Sequence, residues 1–190
     1  MHGLVLAYHG CDQAVAEKVL AGKENIRASS NDFDWLGNGA YFWENDSARA
    51  LDWARQLQQK SIAGIKTPAV IGAVIDLGNC LNLVRSDHLA LVKQAFDRLE
   101  QNLQSLRQPL PVNKPLKENG DLLIRRLDCA VIEYLCARLK EADEPIDTVR
   151  AVFFEGDELY PNAGFRQKNH IQICVRDSAN IKGYFRPLLN

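Results

Sequence analysis

Short apolar runs alternate along this chain with longer segments that are apolar on one side only. Buried strands are predicted at residues 4–8, 69–77 and 149–154, where β-branched and other large apolar residues cluster between turn residues. Residues 171–175 and 181–185 have the same character near the end of the chain and predict two closing strands.

Helices are predicted where apolar residues recur every three or four positions. A short first helix follows Asp12, a residue type that caps helix starts, and a second covers about residues 45–60. Two longer helices, at about 86–106 and 121–139, are joined by a stiff segment with three prolines.

Strands toward both ends of the chain, with helices inserted between them, indicate an α+β domain. The chain has 190 residues. This length favours one domain and is sufficient to bury a hydrophobic core. We therefore expect a single domain over residues 1–190, with a helical insertion at about 86–142.

The composition narrows the functional classes. The chain has 23 Lys and Arg against 24 Asp and Glu, a net charge of −1, so no general basic field indicates a nucleic-acid binder, although a local basic patch stays open. The five cysteines form no CxxC pair and no Cys/His cluster, so no metal site is predicted. We expect a cytoplasmic protein without membrane association, because the chain shows neither a secretion signal nor a long apolar span.

The first candidate motif is Tyr8-His9-Gly10-Cys11, where the first strand ends. An imidazole at this position can donate a hydrogen bond to a sugar hydroxyl, and Gly10 lets a ligand approach the main chain closely. The alternative, which this motif alone favours, is a histidine bonded to a nearby carbonyl group.

The second candidate motif follows a long polar loop at residues 24–38. Gly37-Asn38-Gly39 permits a tight chain path and leads into a short strand that carries Tyr41, Phe42 and Trp43. Tyr41 beside such a loop can stack on a planar ring. The alternative is a hairpin with an aromatic core strand.

The third candidate motif is the strand at residues 171–175. Its apolar residues at odd positions predict one core face, and the other face presents Gln172. The alternative is a sheet face that is only solvated.

In this order the three motifs resemble the ADP-ribosyltransferases of the poly(ADP-ribose) polymerase and diphtheria-toxin class. In that class a strand ends in His-Gly, a Gly-x-Gly-x-Tyr-Phe segment precedes a helix, and a late strand carries glutamate. His9-Gly10 matches the first and Gly37 to Phe42 the second, and Gln172 stands where the polymerases carry glutamate. The resemblance covers residues 4–54 and 149–186 and leaves the helical insertion without a counterpart.

The resemblance implies a split antiparallel sheet that grips NAD as co-substrate. His9 would bind the adenosine-side ribose, and the main chain of Gly10 would hold the nicotinamide amide. Tyr41 would stack on one face of the nicotinamide ring and Trp53 on the other. The alternative for Trp53 is a core position on an amphipathic helix.

The implied reaction breaks the nicotinamide–ribose bond through a cation-like transition state, with His9, Tyr41 and Gln172 as the catalytic set. A nearby negative charge would stabilise this transition state. Gln172 is neutral and cannot act as a base, so transfer of one ADP-ribose unit is expected rather than polymer growth. The candidate sources of the missing charge are Glu155, Glu158 and the substrate itself. For each glutamate, the residues alone favour a solvated loop carboxylate.

The sequence does not choose between a protein, a nucleic acid and a small molecule as acceptor, with a macromolecule as the leading expectation. The resemblance adds a toxin or phage-defence setting with an antitoxin or regulatory partner. Two other functional classes stay open. One is a module that binds NAD or ADP-ribose without catalysis, and the other is an interaction protein that docks through its helical insertion.

Overall fold

The computed structural model describes residues 3–62, 64–115 and 121–188. Within them the chain forms four α-helices, a seven-stranded sheet and a two-stranded sheet. The strands are β1 (Leu4–Asp12), β2 (Ala40–Glu44), β3 (Pro68–Asp76), β4 (Cys80–Asn82), β5 (Asn113–Lys114), β6 (Ile124–Arg125), β7 (Thr148–Phe153), β8 (His170–Val175) and β9 (Ile181–Phe185). The helices are α1 (Gln13–Leu20), α2 (Ser47–Gln59), α3 (Ser86–Ser105) and α4 (Arg126–Glu141).

The large sheet has the strand order β4-β7-β8-β2-β1-β3-β9. The α+β prediction is therefore confirmed, but the expected fully antiparallel sheet is wrong in one place, because β4 and β7 are parallel. Parallel neighbours need a long crossover between them, and here the segment with α3 and α4 provides it. The helical insertion is thus the connection that makes the sheet mixed.

The α4 helix begins at Arg126, later than the sequence pattern predicts. Ile124 and Arg125 are instead paired with the strand before them in the small sheet. The side-chain oxygen of Asn113 accepts hydrogen bonds from the main-chain N–H groups of Leu127 (2.9 Å) and Asp128 (3.3 Å). A residue distant in sequence therefore caps the first turn of the helix, which local periodicity does not reveal.

Helices cover the two faces of the sheet unequally. The α1 helix packs on one face, against β1 and β3, and we call this the α1 face. The α2, α3 and α4 helices pack on the opposite face, which we call the α2 face. The β8 strand is buried from both sides, since Ile173 belongs to the first core and Cys174 to the second, each with 0% exposure.

The contact between α2 and the sheet depends on small residues. A Cβ atom on Gly10 would lie 2.0 Å from the main-chain oxygen of Ala50. Ala50 and Ala54 are fully buried, whereas Trp53, for which a core position was the alternative interpretation, is 37% exposed. The close approach of α2 therefore uses the alanines and leaves Trp53 at the margin.

Candidate functional site

The first part of the site is a fork between β1 and β2. The two strands pair at Ala7–Glu44 and Tyr8–Trp43, where their ladder ends, although β1 continues along β3 to Asp12. The main-chain oxygen of Leu6 accepts from Asn45 N at 3.0 Å, so even-numbered residues of β1 direct their main-chain groups toward β2. The N–H and C=O of Gly10 therefore point into the fork, beyond the paired stretch.

The His9 side chain spans this fork. Its Nδ1 lies 2.7 Å from the main-chain oxygen of Tyr41, so Nδ1–H is the donor and Nε2 keeps its lone pair. Burial lowers the pKa of His9, which keeps the ring neutral near pH 7. No described residue bonds Nε2. A sugar hydroxyl at this nitrogen would thus donate to His9, the reverse of the direction expected from the sequence.

Tyr41 is anchored by its own loop. Its hydroxyl donates to the main-chain oxygen of Gly37 at 2.7 Å and accepts from Leu36 N at 2.9 Å. The ring packs against the core formed with α3 and α4, and burial raises the pKa of the phenol. Both hydroxyl contacts hold the Gly-x-Gly turn in place.

The long loop before β2 is ordered by contacts with distant elements. Trp35 Nε1 donates to the main-chain oxygen of Leu123 at 3.0 Å. The Glu133 carboxylate accepts from Asn38 N at 2.7 Å and pairs with Arg176. Gly37 has a φ of 79°, and a Cβ atom there would lie 2.3 Å from the same carboxylate. The glycine is therefore required by the chain path and by this close approach.

The three motifs lie on three neighbouring strands, β1, β2 and β8. They do not converge on one face. Strand alternation places the His9 side chain on the α1 face with Ala7 and Cys11, whereas Tyr41 and Gln172 lie on the α2 face. Gln172 is the cross-strand partner of Trp43, not of Tyr41. The expected single cleft is thus divided into the fork and a second part around Gln172.

The second part is a polar cluster beside Gln172, formed by Trp43, Arg49, Glu155 and His170, which we call the Arg49 cluster. Arg49 Nη2 lies 3.0 Å from Glu155 Oε2, with side-chain exposures of 8% and 13%. The Arg49 guanidinium lies 5.7 Å from the centre of the Trp43 ring. The His170 ring lies 6.4 Å from the same ring.

His170 is a buried member of this cluster and the first residue of β8. Its Nδ1 lies 2.6 Å from the main-chain oxygen of Lys168, so Nδ1–H donates and Nε2 is an acceptor. Burial is the main cause that lowers the pKa of His170, and the Arg49 charge adds to it. The alternation along β8, which is visible in the sequence, places His170 on the same face as Gln172. His170 could therefore have been identified as a site residue from the sequence.

Arg49 gave no comparable signal. Arg49 lies on α2, and the residue of this helix that sequence reasoning considered for the site was Trp53. Arg49 also bonds Asp52 at 3.3 Å, so one buried cation holds two carboxylates. Only the packed structure shows that this helix position faces the sheet.

Trp53 contacts a different ring from the one expected. Its ring centre lies 6.0 Å from that of Trp43, and among the described residues no ring contact joins it to Tyr41. The placement of Tyr41 and Trp53 on opposite faces of one ligand ring stays a prediction, because two rings around a ligand would not contact each other. Trp43 takes the place beside Trp53 because it is the aromatic residue of β2 that faces α2.

The acidic residues near the site are engaged. Glu155 pairs with Arg49, and Glu44 forms two bonds with Arg150 at 2.6 and 2.9 Å. Glu158 accepts from Asn162 N at 2.9 Å on an exposed loop. Neither loop glutamate therefore offers an unpaired carboxylate beside Gln172.

Comparisons with known proteins leave the function open. No family model matches the chain, and no solved structure matches it significantly. A protein of Methanocaldococcus jannaschii described only as uncharacterized is 27% identical over 192 residues, covering 92% of this chain and 83% of that protein. The described helices include none that is long and apolar enough to cross a membrane. No group of metal-binding side chains occurs among the described residues.

Proposed function

We propose that this protein binds NAD at the fork and transfers a single ADP-ribose unit to a protein or nucleic acid. One observation carries the proposal. The three motifs, widely separated in the sequence, occupy adjacent strands in the order β8-β2-β1, and the β1–β2 ladder ends where the His-Gly motif begins. A ligand can therefore form hydrogen bonds with the Gly10 main chain and with His9 at this point.

The role proposed for each residue follows from its donors and acceptors that have no partner among the described residues. The N–H and C=O of Gly10 match a primary amide such as that of nicotinamide, which offers one acceptor and one donor. His9 Nε2 accepts a bond from a ribose hydroxyl. Gln172 is half-buried, and its side-chain amide has no partner among the described residues, so it is available to position the other ribose.

The transfer step breaks the bond between the ribose C1′ and the nicotinamide nitrogen, whose electron pair leaves with nicotinamide. The acceptor oxygen or nitrogen then bonds C1′ and loses its proton. Electrostatic stabilisation of this cation-like transition state is usually the largest contribution that a protein makes to the rate. Because the neighbouring glutamates are paired with arginines, we expect slow transfer.

A second candidate function is NAD binding without transfer. The pairing of Glu155 with Arg49 favours it, because that carboxylate is then neutralised and Gln172 adds no charge. The two candidates share the ligand and differ only in whether its glycosidic bond breaks.

The test uses NAD labelled in the adenylate half, incubated with the purified protein and cell lysate. Release of nicotinamide with labelled macromolecules is the expected result, and nuclease or protease treatment then identifies the acceptor. His9→Ala should lower both signals, whereas His88→Ala on α3 should lower neither. NAD binding without release or label would favour the binding module, and absence of NAD binding would exclude both candidates.

A further inference from the structure

The strand β7 is longer than its neighbour β4, so part of its outer edge is open. The two strands pair only as far as Asn82 and Arg150, and Leu83 N donates to the main-chain oxygen of Arg150 at 2.7 Å. Beyond this bond β7 continues to Phe153, while the chain after β4 turns away into α3. No other described strand pairs with this edge of β7, so the edge is open beyond Arg150.

The main-chain groups of Val152 and Phe154 point toward the open edge. Successive residues of a strand direct their N–H and C=O groups to opposite sides. Arg150 points toward β4, whereas Glu155 points toward the chain before β8, because its main-chain oxygen accepts from Lys168 N at 2.9 Å. Val152 and Phe154 share the direction of Arg150. They therefore present two N–H and two C=O groups that no described residue bonds.

The side chains at this edge do not protect the strand from further pairing. Charged residues, prolines and bulges normally prevent an edge strand from accepting another strand. The opposite edge of the sheet follows this rule, because β9 contains Lys182 and is followed by Arg186 and Pro187. At the open part of β7 the residues are Val152 and Phe154, which are 40% and 58% exposed. This edge is therefore apolar and open to another extended chain.

An apolar cleft lies beside the same edge, between β7 and the helical insertion. Its volume is about 450 Å³, and Val152 lines it together with Leu89 and Phe96 of α3. The two cations that line the cleft, Arg125 and Lys93, are each paired with an aspartate. Because no unpaired charged side chain lines the cleft, an apolar side chain is the group that fits it.

We propose that the open edge of β7 binds an extended segment of a partner protein by strand addition, with an apolar side chain of that segment in the cleft. Another extended main chain offers N–H and C=O groups at the two-residue spacing of Val152 and Phe154. Alternate residues of the added strand point to opposite faces, so one enters the cleft and its neighbours cover the exposed side chains at the edge. The partner segment is thus uncharged and apolar at consecutive positions. This binding is independent of NAD binding at the fork.

The test measures binding of a fluorescent peptide, blocked at both ends, with the sequence Ser-Thr-Val-Phe-Val-Thr-Ser. We expect saturable binding to the full chain in anisotropy titrations, and slower amide hydrogen exchange at Val152 and Phe154 by NMR. A control peptide has the same side chains but carries N-methyl groups on its three central residues, which removes donors on both of its edges. It should bind at least about tenfold more weakly, as expected for the loss of one or two hydrogen bonds.

Two pairs of variants test the edge and the cleft separately. Val152→Pro removes the edge N–H, a change that edge strands tolerate, and should weaken peptide binding about tenfold. Val152→Thr keeps this donor and the β-branched shape, and should change binding less than about threefold. Leu89→Lys places a charge in the cleft and should weaken binding about tenfold. Leu91→Lys changes another exposed position of α3, outside the cleft, and should leave binding unaltered.

Three results would overturn the proposal. Equal binding of the two peptides would mean that the cleft takes apolar side chains without strand addition. Absence of saturable binding up to about 1 mM peptide would exclude a segment of this chemistry. Concentration-dependent dimerisation of the chain alone, abolished in Val152→Pro, would assign the edge to a second copy of the protein.

Discussion

His9 Nδ1 and the main-chain oxygen of Tyr41 lie 2.7 Å apart, across the point where β1 and β2 separate. This one bond joins two of the three motifs and sets the tautomer of the ring. The two interpretations that the sequence left open for His9 are therefore compatible, since one nitrogen bonds a nearby carbonyl and the other remains available to a ligand.

Tyr41→Phe should destabilise the fold by about 1–3 kcal/mol. The change removes the hydroxyl that bonds Leu36 N and Gly37 O. It leaves Leu36 N without its partner and Gly37 O with only the weak Cys174 thiol donor at 3.6 Å. Urea unfolding at neutral pH measures the loss, with Tyr160→Phe, an exposed tyrosine, as the matched control. Unchanged stability together with weaker NAD binding would show that the hydroxyl serves the ligand and not the loop.

Gly10→Ala should destabilise the fold by about 1–3 kcal/mol, the range for an overpacked contact, and displace α2. The added Cβ would lie 2.0 Å from the Ala50 main-chain oxygen, and a helix backbone yields less easily than a side chain. Gly183→Ala in β9 is the control, because a Cβ there meets nothing within 4 Å. Thermal unfolding of the two variants checks the difference; equal melting temperatures would contradict it.

Glu155→Ala should lower the free energy of unfolding by about 2–3 kcal/mol. The change removes the main partner of the buried Arg49 charge. Because Asp52 still pairs with Arg49, the loss of stability stays below that for a buried ion pair with no second partner. Glu158→Ala on the same loop should change stability by less than about 0.5 kcal/mol, as exposed sites do. Urea unfolding of both variants tests the contrast, and a neutral Glu155→Ala would mean that Arg49 is well solvated.

Stability should fall as the solution is acidified from about pH 7.5 to about pH 5.5. Burial lowers the pKa of His9 and His170 in the folded state, so the unfolded chain binds more protons once the pH drops below about 6.5. The slope of unfolding free energy against pH is then positive in this window. The double variant His9→Gln/His170→Gln should flatten the slope measured by urea unfolding, and an unchanged slope would contradict the prediction.

Several elements followed directly from the sequence. The closing strand at residues 181–185 is observed with the predicted bounds, and α1 begins directly after its predicted cap, Asp12. These segments succeed because their signals are local: alternation, β-branched residues and a capping side chain.

The candidate site was less accessible to sequence reasoning because it depends on strand neighbours. Periodicity placed Gln172 on one face of β8 but did not reveal that Trp43 lies beside it. It also did not reveal that the β1–β2 ladder ends at Tyr8, or that His9 lies on the opposite face of the sheet from Gln172. Arg49 was missed since a buried cation in an amphipathic helix leaves no mark in an apolar pattern.

The central position of β8 between β7 and β2 has a consequence for the order of folding. During synthesis β1 and β2 leave the ribosome early, but their neighbour β8 is added only after the long helical crossover. The fork lies between strands that are synthesised before the crossover, whereas Gln172 and His170 are synthesised after it. A nascent chain that has not yet added β8 therefore contains the fork but lacks Gln172. The proposed transfer of ADP-ribose requires β8 to insert between β7 and β2 first.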